Sequence, residues 1–295
     1  MVYTQNMGLR VIKITPKDSD YPNSLRNIAS PPKQLFYIGA SLGDLDQRPS
    51  VAIVGSRKVS HYGQQITSEL SSVLATRHIT VVSGLALGVD AIAHQAALSA
   101  GGRAIAVLPS GLDLIYPASN RQLANRILEQ GGTLITEYPA GTEPFKQNFI
   151  ARNRLIAGLA QATLITEAAE KSGSLHTANF ALEQGREVLA VPGNITSYLS
   201  AGTNNLIKSG ATPVTSAQDI FAALNLTLQV EEEHEILAAN EEEQIILKLL
   251  IGGVSDGTEL LAQSELKTAL FNQTLTMMEI TGKIKAAGND QWRIA

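Results

Sequence analysis

Residues 51–63 read VAIVGSRKVSHYG and combine a continuous apolar run, a glycine turn and the start of an amphipathic segment. An unbroken apolar run such as Val51–Val54 is typical of a strand that is buried on both faces. Gly55 ends the run and allows a sharp turn, and the pattern from Gly63 to Ala75 favours a helix. The stretch therefore predicts one strand–turn–helix unit of a parallel α/β sheet.

The same unit repeats along most of the chain, because short Val- and Ile-rich runs alternate with segments of helix length. We predict strands at Val51–Val54, Ile79–Val82, Ala104–Leu108, Thr133–Thr136, Thr163–Thr166, Val188–Val191 and Thr212–Val214. The helices between them include Gly63–Ala75, Asp90–Ser99, Arg121–Gln130 and Leu175–Gln184. This alternation predicts an extended Rossmann-like parallel sheet with helices on both faces. Ligands of such sheets bind at the carboxyl ends of the strands, near the point where the strand order reverses.

The segments that flank this sheet have different compositions. Residues 1–45 are irregular, contain one short strand at Leu35–Ile38, and are predicted to form an N-terminal lead-in to a Rossmann-like domain at 46–225. Residues 226–240 are acidic and are predicted to form a linker. Residues 241–295 are predicted to form a winged-helix-like module, three helices and a hairpin, with a core of Ile245, Leu249, Leu260, Leu266, Leu270 and Ile280.

Composition narrows the function classes. The 295 residues include no cysteine, which excludes disulfides and thiolate zinc sites and suits a reducing cytoplasm, where we expect the protein. No apolar run reaches about 18 residues, so we expect no insertion into a membrane. The start of the chain shows neither the basic nor the apolar part of a secretion signal.

The charge is unevenly distributed. The net charge of −4 is the sum of +3 over residues 1–230 and −7 over residues 231–295. A site for nucleic acid is therefore expected as a local basic patch in the first part of the chain. The acidic surface of the last part is unfavourable for insertion into a DNA groove.

Small polar residues follow nearly every predicted strand. Gly55, Ser56 and Arg57 follow the first strand, Ser83 and Gly84 follow the second, and further along the chain Ser174 directly precedes the predicted helix Leu175–Gln184. Such loops form backbone sites for anions, although turns require the same residues for their own geometry. These loops therefore fit two interpretations, a groove that binds phosphates and a set of ordinary turns.

The segment KQNFIARNRLIAG, residues 146–158, adds cations and an aromatic ring. We expect a loop that carries Lys146 and Phe149, followed by a helix that begins near Ala151 and carries Arg152 and Arg154 in its first turn. A helix start attracts phosphate, and an aromatic ring beside it can stack on a base. Alternatively, Phe149 belongs to the core, and one of the arginines pairs with a carboxylate such as Glu137 or Glu167.

Several common catalytic and cofactor-binding motifs are absent from the sequence. It lacks the P-loop pattern, the G-x-G-x-x-G fingerprint, an HExxH metal site and a GxSxG elbow. We therefore expect no catalytic reaction, no cofactor and no metal. One alternative is a nucleotide-binding hydrolase on the same scaffold, with Glu137 and Glu167 as acid and base. A further alternative is an adaptor that uses the acidic C-terminal part to recruit a partner.

Eight ordered blocks between residue 51 and about residue 221 resemble the DNA-processing protein A (DprA/Smf) family. They read GSRKVSHYG, VSGLALGVDAIAH, AVLPSGLDLIYPASN, TEYPAGTEP, FIARNRLIAGL, EAAEKSGSLHTA, GREVLAVPGN and GTNNLIKSGA. The resemblance implies a Rossmann-like domain that binds and protects single-stranded DNA and helps to load the RecA recombinase during natural transformation. It also implies a homodimer and no reaction of the protein's own.

The resemblance places DNA-binding positions on the GSR turn, on Lys146 and on Phe149. Its RNR block falls on Arg152, Asn153 and Arg154, whose roles we expect to divide between phosphate contact and internal pairing. With the small residues of the loops, the predicted contacts to single-stranded DNA are Gly55, Ser56, Arg57, Ser83, Gly84, Lys146, Phe149, Arg152, Asn153, Arg154 and Ser174.

Overall fold

Nine strands form one mixed sheet in the computed structural model, which describes residues 10–43, 45–226, 240–288 and 290–294. Contacts divide the chain into two compact units, Met1–Thr227 and Leu228–Ala295. The strands are β1 (Ile12–Ile14), β2 (Leu35–Gly39), β3 (Ser50–Val54), β4 (Thr80–Ser83), β5 (Ala104–Val107), β6 (Thr133–Thr136), β7 (Ala162–Ile165), β8 (Glu187–Ala190) and β9 (Thr212–Pro213). Their order across the sheet is β1-β2-β6-β5-β4-β3-β7-β8-β9.

The helices of the first unit lie between these strands. They are α1 (Asn23–Arg26), α2 (His61–Thr76), α3 (Val89–Ser99), α4 (Arg121–Glu129), α5 (Lys146–Gly158), α6 (Ser174–Glu183), α7 (Ala201–Lys208) and α8 (Ala217–Ala223). The seven predicted strands and the four predicted helices are all present, with ends that differ by no more than two residues. The alternation of short apolar runs with helix-length amphipathic segments was therefore sufficient to locate these strands and helices.

Helices cover both faces of the sheet, as predicted. Along β5, Ile105 and Val107 belong to one buried cluster, whereas Ala104 and Ala106 belong to another. Since neighbouring side chains of a strand point to opposite faces, these clusters are the two layers of the core. Side chains of α5 and α6 fill the first cluster, and side chains of α3 and α4 fill the second.

The N-terminal lead-in adds two antiparallel strands to one edge of the predicted parallel sheet. The strand predicted at Leu35–Ile38 is β2, which pairs antiparallel with β6, and β1 pairs antiparallel with β2. Leu35 and Tyr37 are fully buried, so the lead-in completes one edge of the core. Strand β1 was not predicted, because it has only three residues and only Ile14 among them is buried.

The strand order reverses at β3. The chain runs from β3 through β4 and β5 to β6 on one side, and then returns to place β7 on the other side of β3. The turns after β3 and β7 touch, since the Ser56 amide donates a hydrogen bond to the Glu167 carbonyl at 2.7 Å. Gly55 permits this approach, because a Cβ there would lie 2.7 Å from the Glu167 carbonyl oxygen and 2.6 Å from Val89.

The second unit contains three helices and a hairpin in the predicted order. The elements are α9 (Glu241–Ile251), α10 (Gly257–Ser264), α11 (Thr268–Ile280), β10 (Ile284–Gly288) and β11 (Gln291–Ile294). A winged-helix role for this unit stays a prediction. The predicted acidic linker falls almost entirely on residues 227–239, which lie outside the described residues, as does Asn289 in the predicted hairpin turn.

The core of the second unit differs from the predicted one. Leu260 is buried and Leu249 and Leu266 pack against the core, but Ile245, Leu270 and Ile280 are exposed. The buried residues are Ile246, Leu247, Leu260, Phe271, Leu275, Met278 and Ile284. Apolar residues occur in adjacent pairs along these helices, and the pattern alone does not show which member of a pair is buried. Ile246 and Phe271 are buried in place of their predicted neighbours Ile245 and Leu270.

Within the described ranges, every helix is too short or too polar to cross a lipid bilayer.

Candidate nucleic-acid interface

A cleft of about 680 Å³ lies at the carboxyl ends of the strands, where the strand order reverses. Its walls are the turn after β3, the loop that joins β7 to α6, and one face of α5. A parallel sheet is expected to bind its ligand at this position, because the two neighbouring turns leave the central strands in opposite directions. The volume falls within the range of roughly 300–1,000 Å³ that is usual for small-molecule pockets.

Helix α5 begins five residues earlier than the sequence suggested. The predicted start was Ala151, whereas the helix starts at Lys146 with Phe145 as its N-cap. The buried Asn148 side chain donates a hydrogen bond to the Glu143 carbonyl at 3.2 Å and ties the first turn to the preceding loop. Lys146 and Phe149 therefore stand on a helix instead of a loop, and the two arginines lie beyond its first turn.

One face of α5 forms a wall of the cleft. Lys146, Phe149, Ile150 and Asn153 all line the cleft, and their spacing of three, four and seven residues places them on one helix face. Lys146 is exposed, and Phe149 is half-buried. A rigid helix thus presents a cation and an aromatic ring one turn apart to the same space.

The Phe149 ring lies between a cation and a second ring. The Arg57 guanidinium carbon is 5.2 Å from the Phe149 ring centroid, within the range of a cation–π contact. The Tyr116 ring meets Phe149 edge-on, with centroids 5.4 Å apart and planes at 76°. The structure therefore places Phe149 in the wall of the cleft and not in the interior of the core.

Sequence reasoning missed several residues of this cleft, among them an aromatic residue, Tyr116, and a cation, Lys58. Tyr116 is 45% exposed, and Lys58 is exposed beside Arg57. Both line the cleft. Lys58 follows the GSR turn directly, so its position along the chain was a usable signal. Tyr116 comes from the long connection after β5, which no periodic pattern locates.

Arg152 is buried beneath the cleft. It is 3% exposed, and its Nη1 donates to the Gly84 carbonyl at 2.7 Å and to the Val107 carbonyl. Gly84 makes room for the guanidinium, since a Cβ there would lie 2.6 Å from it. Arg152 thus fastens α5 to the ends of β4 and β5, with its Nη1 donors taken up by two backbone carbonyls although part of the residue lines the cleft.

The buried charge has a nearby counter-charge. Asp90 is buried and accepts hydrogen bonds from the Gly84 and Ala86 amides at 3.1 and 3.3 Å. Burial raises the pKa of Asp90, and the charge of Arg152 opposes that rise. Burial also lowers the pKa of Arg152 to about 10, so this guanidinium stays charged at neutral pH. Burial, helped by Arg152, lowers the pKa of His94 to about 3, which keeps that imidazole neutral.

Arg154 has an internal partner as well. Its Nη2 lies 2.6 Å from Glu137 Oε2, which confirms that one arginine of the block pairs with a carboxylate at a strand end. Glu167 is also occupied, because it accepts hydrogen bonds from the Ser60 hydroxyl and, at 2.8 Å, from the Ser60 amide. Neither glutamate lines the cleft.

The small residues of the predicted contact set divide into two groups. Ser83 is fully buried and donates to the Ile53 carbonyl at 2.6 Å, and neither Ser83 nor Gly84 lines the cleft. Ser56 lines the cleft but donates its hydroxyl to the Lys58 carbonyl at 2.6 Å. Eight predicted residues do line it, namely Gly55, Ser56, Arg57, Lys146, Phe149, Arg152, Asn153 and Ser174.

A Rossmann-like sheet whose switch-point cleft carries exposed cations and an aromatic wall defines a class of binding proteins for phosphate-bearing ligands. The family model for DNA recombination-mediator protein A matches residues 13–225. The chain belongs to this family.

Sequence identity to members of this family supports the assignment. The chain is 43% identical to Protein Smf of Synechocystis over 237 residues, which cover 78% of this chain and 58% of that protein. It is 45% identical to Protein Smf of Escherichia coli over 73% of this chain and 57% of that protein. The chain thus spans somewhat more than half the length of these two relatives. Identity to DNA processing protein DprA of Bacillus subtilis is 40%, over 75% of this chain and 73% of that protein.

Two solved structures share the fold of about three quarters of the chain. DprA of Streptococcus pneumoniae superposes with a TM-score of 0.67 at 42% identity, over 72% of this chain and 74% of that chain. DNA processing protein A of Helicobacter pylori, whose structure concerns a single-stranded DNA binding mode, gives a TM-score of 0.65 at 32% identity. That match covers 74% of this chain and 95% of the other.

Replacement of Arg152 should destabilise the protein more than replacement of Arg154. Arg152→Met leaves the Gly84 and Val107 carbonyls and Asp90 without their buried partner, which should lower the free energy of unfolding by about 3–5 kcal/mol. Arg154→Met removes one half-buried ion pair and should cost about 1–3 kcal/mol. Urea unfolding of both variants measures the difference, and wild-type stability of Arg152→Met would contradict the fastening role.

Proposed function

We propose that the cleft binds single-stranded DNA, with backbone phosphates held by cations and a base stacked on Phe149. The contact of Arg57 with the Phe149 ring carries this proposal, because it places a phosphate-binding guanidinium and a base-sized aromatic surface 5.2 Å apart in one open cleft. Single-stranded nucleic acid is held by the same combination in other proteins. Phosphates and ring faces hold little base identity, so binding should be largely independent of sequence.

The proposed phosphate contacts are Arg57, Lys58 and Lys146. These three cations are exposed and line the cleft, and Lys146 lies in the first turn of α5, where the helix dipole adds to its positive charge. Arg152 and Arg154 are left out of the proposed contacts because their guanidinium groups have internal partners. Each phosphate contact on a single strand contributes about −0.7 to the slope of log K against log salt, so three contacts give about −2.

The finer biological role is also a proposal. The protein would protect incoming DNA and help to load RecA recombinase during natural transformation, acting as a homodimer that aligns two clefts along one strand. Membership of the recombination-mediator family supports this role, as does the single-stranded DNA binding of the H. pylori relative. Two clefts on one strand would raise the affinity for long DNA through avidity, and light scattering of the purified protein tests the dimer.

The contacts of the two glutamates favour binding over hydrolysis. The hydrolase alternative needs Glu137 or Glu167 as an acid or base in the cleft. Glu137 is paired with Arg154, Glu167 is bonded to Ser60, and neither lines the cleft. We therefore propose that the protein acts without a catalytic reaction of its own. Release of base or phosphate from nucleotides incubated with the protein would contradict this part.

Neutralising one exposed cation should flatten the salt dependence of binding. Arg57→Ala and Lys146→Ala should each weaken the binding of oligo-dT and reduce the slope of log K against log salt by about 0.7. Arg57→Lys keeps the charge and should keep the slope. Lys33→Ala removes an exposed lysine that does not line the cleft and serves as the control. A slope that both alanine variants leave unchanged would remove these cations from the site.

The wild-type protein should shorten the delay before RecA hydrolyses ATP on DNA that is coated with single-strand-binding protein. The Arg57→Ala, Lys146→Ala double variant should fail to do so, because it cannot hold the strand. A coupled ATPase assay measures the delay. If the wild-type protein binds oligo-dT and the delay is unaffected, RecA loading is contradicted while DNA binding stands.

A further inference from the structure

A third aromatic residue stands at the other end of the same cleft. Tyr198 begins the short 3₁₀ helix Tyr198–Ser200, which follows β8, and it lines the cleft together with Phe149. It is 70% exposed. A single exposed apolar residue on a surface needs no explanation, but an exposed ring inside a candidate DNA cleft offers a free stacking surface.

The loop that carries Tyr198 is held firmly. The Gly193 amide donates to Asn204 Oδ1 at 3.2 Å, and Asn204 Nδ2 donates back to the Gly193 carbonyl at 3.0 Å. The Tyr62 hydroxyl donates to the Pro192 carbonyl at 2.7 Å. These bonds fix the backbone on both sides of the exposed ring, so a ligand would have little loop entropy to overcome on binding.

The order of the strands places Tyr198 at a useful distance from the Phe149 end. Arg57, which contacts Phe149, follows β3, whereas Tyr198 follows β8, two strands further along the sheet. Two strand spacings separate the ends of β3 and β8 by about 10 Å, a distance that a few nucleotides of an extended strand can span. The loop between these ends also lines the cleft, and its Gly173 carbonyl accepts a hydrogen bond from Asn153 of α5 at 3.4 Å.

The two ends differ in charge. Arg57, Lys58 and Lys146 gather around the Phe149 end, whereas the residues of the Tyr198 loop that line the cleft, Tyr198 and Leu199, are uncharged. Any contribution from the second end would therefore come from stacking and would be insensitive to salt.

We infer that Tyr198 is a second base-stacking position, which takes a further nucleotide of the single strand whose first base lies against Phe149. The inference rests on the proposed function and extends it from one base to two. The ligand at this position is a base of any kind, because a ring face stacks on purines and pyrimidines alike. The protein should then bind longer oligonucleotides more tightly than the shortest ones even within one protomer.

Oligo-dT of increasing length, followed by fluorescence anisotropy, tests this position. Tyr198→Ala should lose about 5- to 150-fold in affinity for oligonucleotides long enough to span both ends, with no loss for the shortest oligonucleotides that bind. Tyr198→Phe keeps the ring and should bind like the wild-type protein. Ile195→Ala, on the same loop, removes a side chain that is 92% exposed and does not line the cleft, and it should have no effect.

The outcomes separate the two proposals. If the wild-type protein does not bind oligo-dT, or if Phe149→Ala binds as tightly as the wild-type protein at every length, the proposed function fails. If the wild-type protein binds and Phe149→Ala weakens binding at all lengths, the function stands. In that case, an affinity of Tyr198→Ala equal to wild type at every length, or reduced equally for the shortest and the longest oligonucleotides, would overturn the second position alone. Urea unfolding of Tyr198→Ala checks that the variant is folded.

Discussion

The position of α5 in the wall of the cleft depends on the hydrogen bonds of one buried guanidinium group, that of Arg152. It joins α5 to the carbonyls of Gly84 and Val107, at the ends of two adjacent parallel strands. A buried charge is costly unless it is well paired, and here Asp90 and two carbonyls supply the compensation. Because α5 is fixed in this way, the side chains on its cleft-facing side have a defined position relative to the turn after β3.

This arrangement separates structural cations from exposed ones. Arg152 and Arg154 are bonded inside the protein, whereas Arg57, Lys58 and Lys146 are exposed in the cleft. Among the described residues that line the cleft, Asp90 is the only carboxylate, and it is directed towards the backbone amides of Gly84 and Ala86. The open part of the cleft is therefore positive although the whole chain has a net charge of −4. A local positive potential of this kind attracts an anionic strand to the cleft, while the net negative charge of the chain disfavours non-specific binding of anions elsewhere.

The sequence predicted the sheet well and the roles of individual residues less well. Continuous apolar strands leave few alternatives, so their positions followed from the pattern. The burial of Arg152 depends on partners 68 and 45 residues away, Gly84 and Val107, which a local pattern cannot reveal. The early start of α5 is accompanied by a side-chain bond from Asn148 to the Glu143 carbonyl, a contact that no periodic pattern announces. Tyr116 and Tyr198 come from loops whose paths are set by the folded sheet, so only the structure brings them to the cleft.

The proposed binding mode requires the cleft to recognise exposed base faces as well as phosphates. The most direct test is an anisotropy titration of the wild-type protein with oligo-dT and with an oligo-dA·oligo-dT duplex of the same length, at one salt concentration. In a duplex the ring faces are stacked inside the helix and cannot reach Phe149, so the single strand should bind about 5- to 150-fold more tightly. Equal affinity for the two forms, or tighter binding of the duplex, would contradict a stacking site in the cleft.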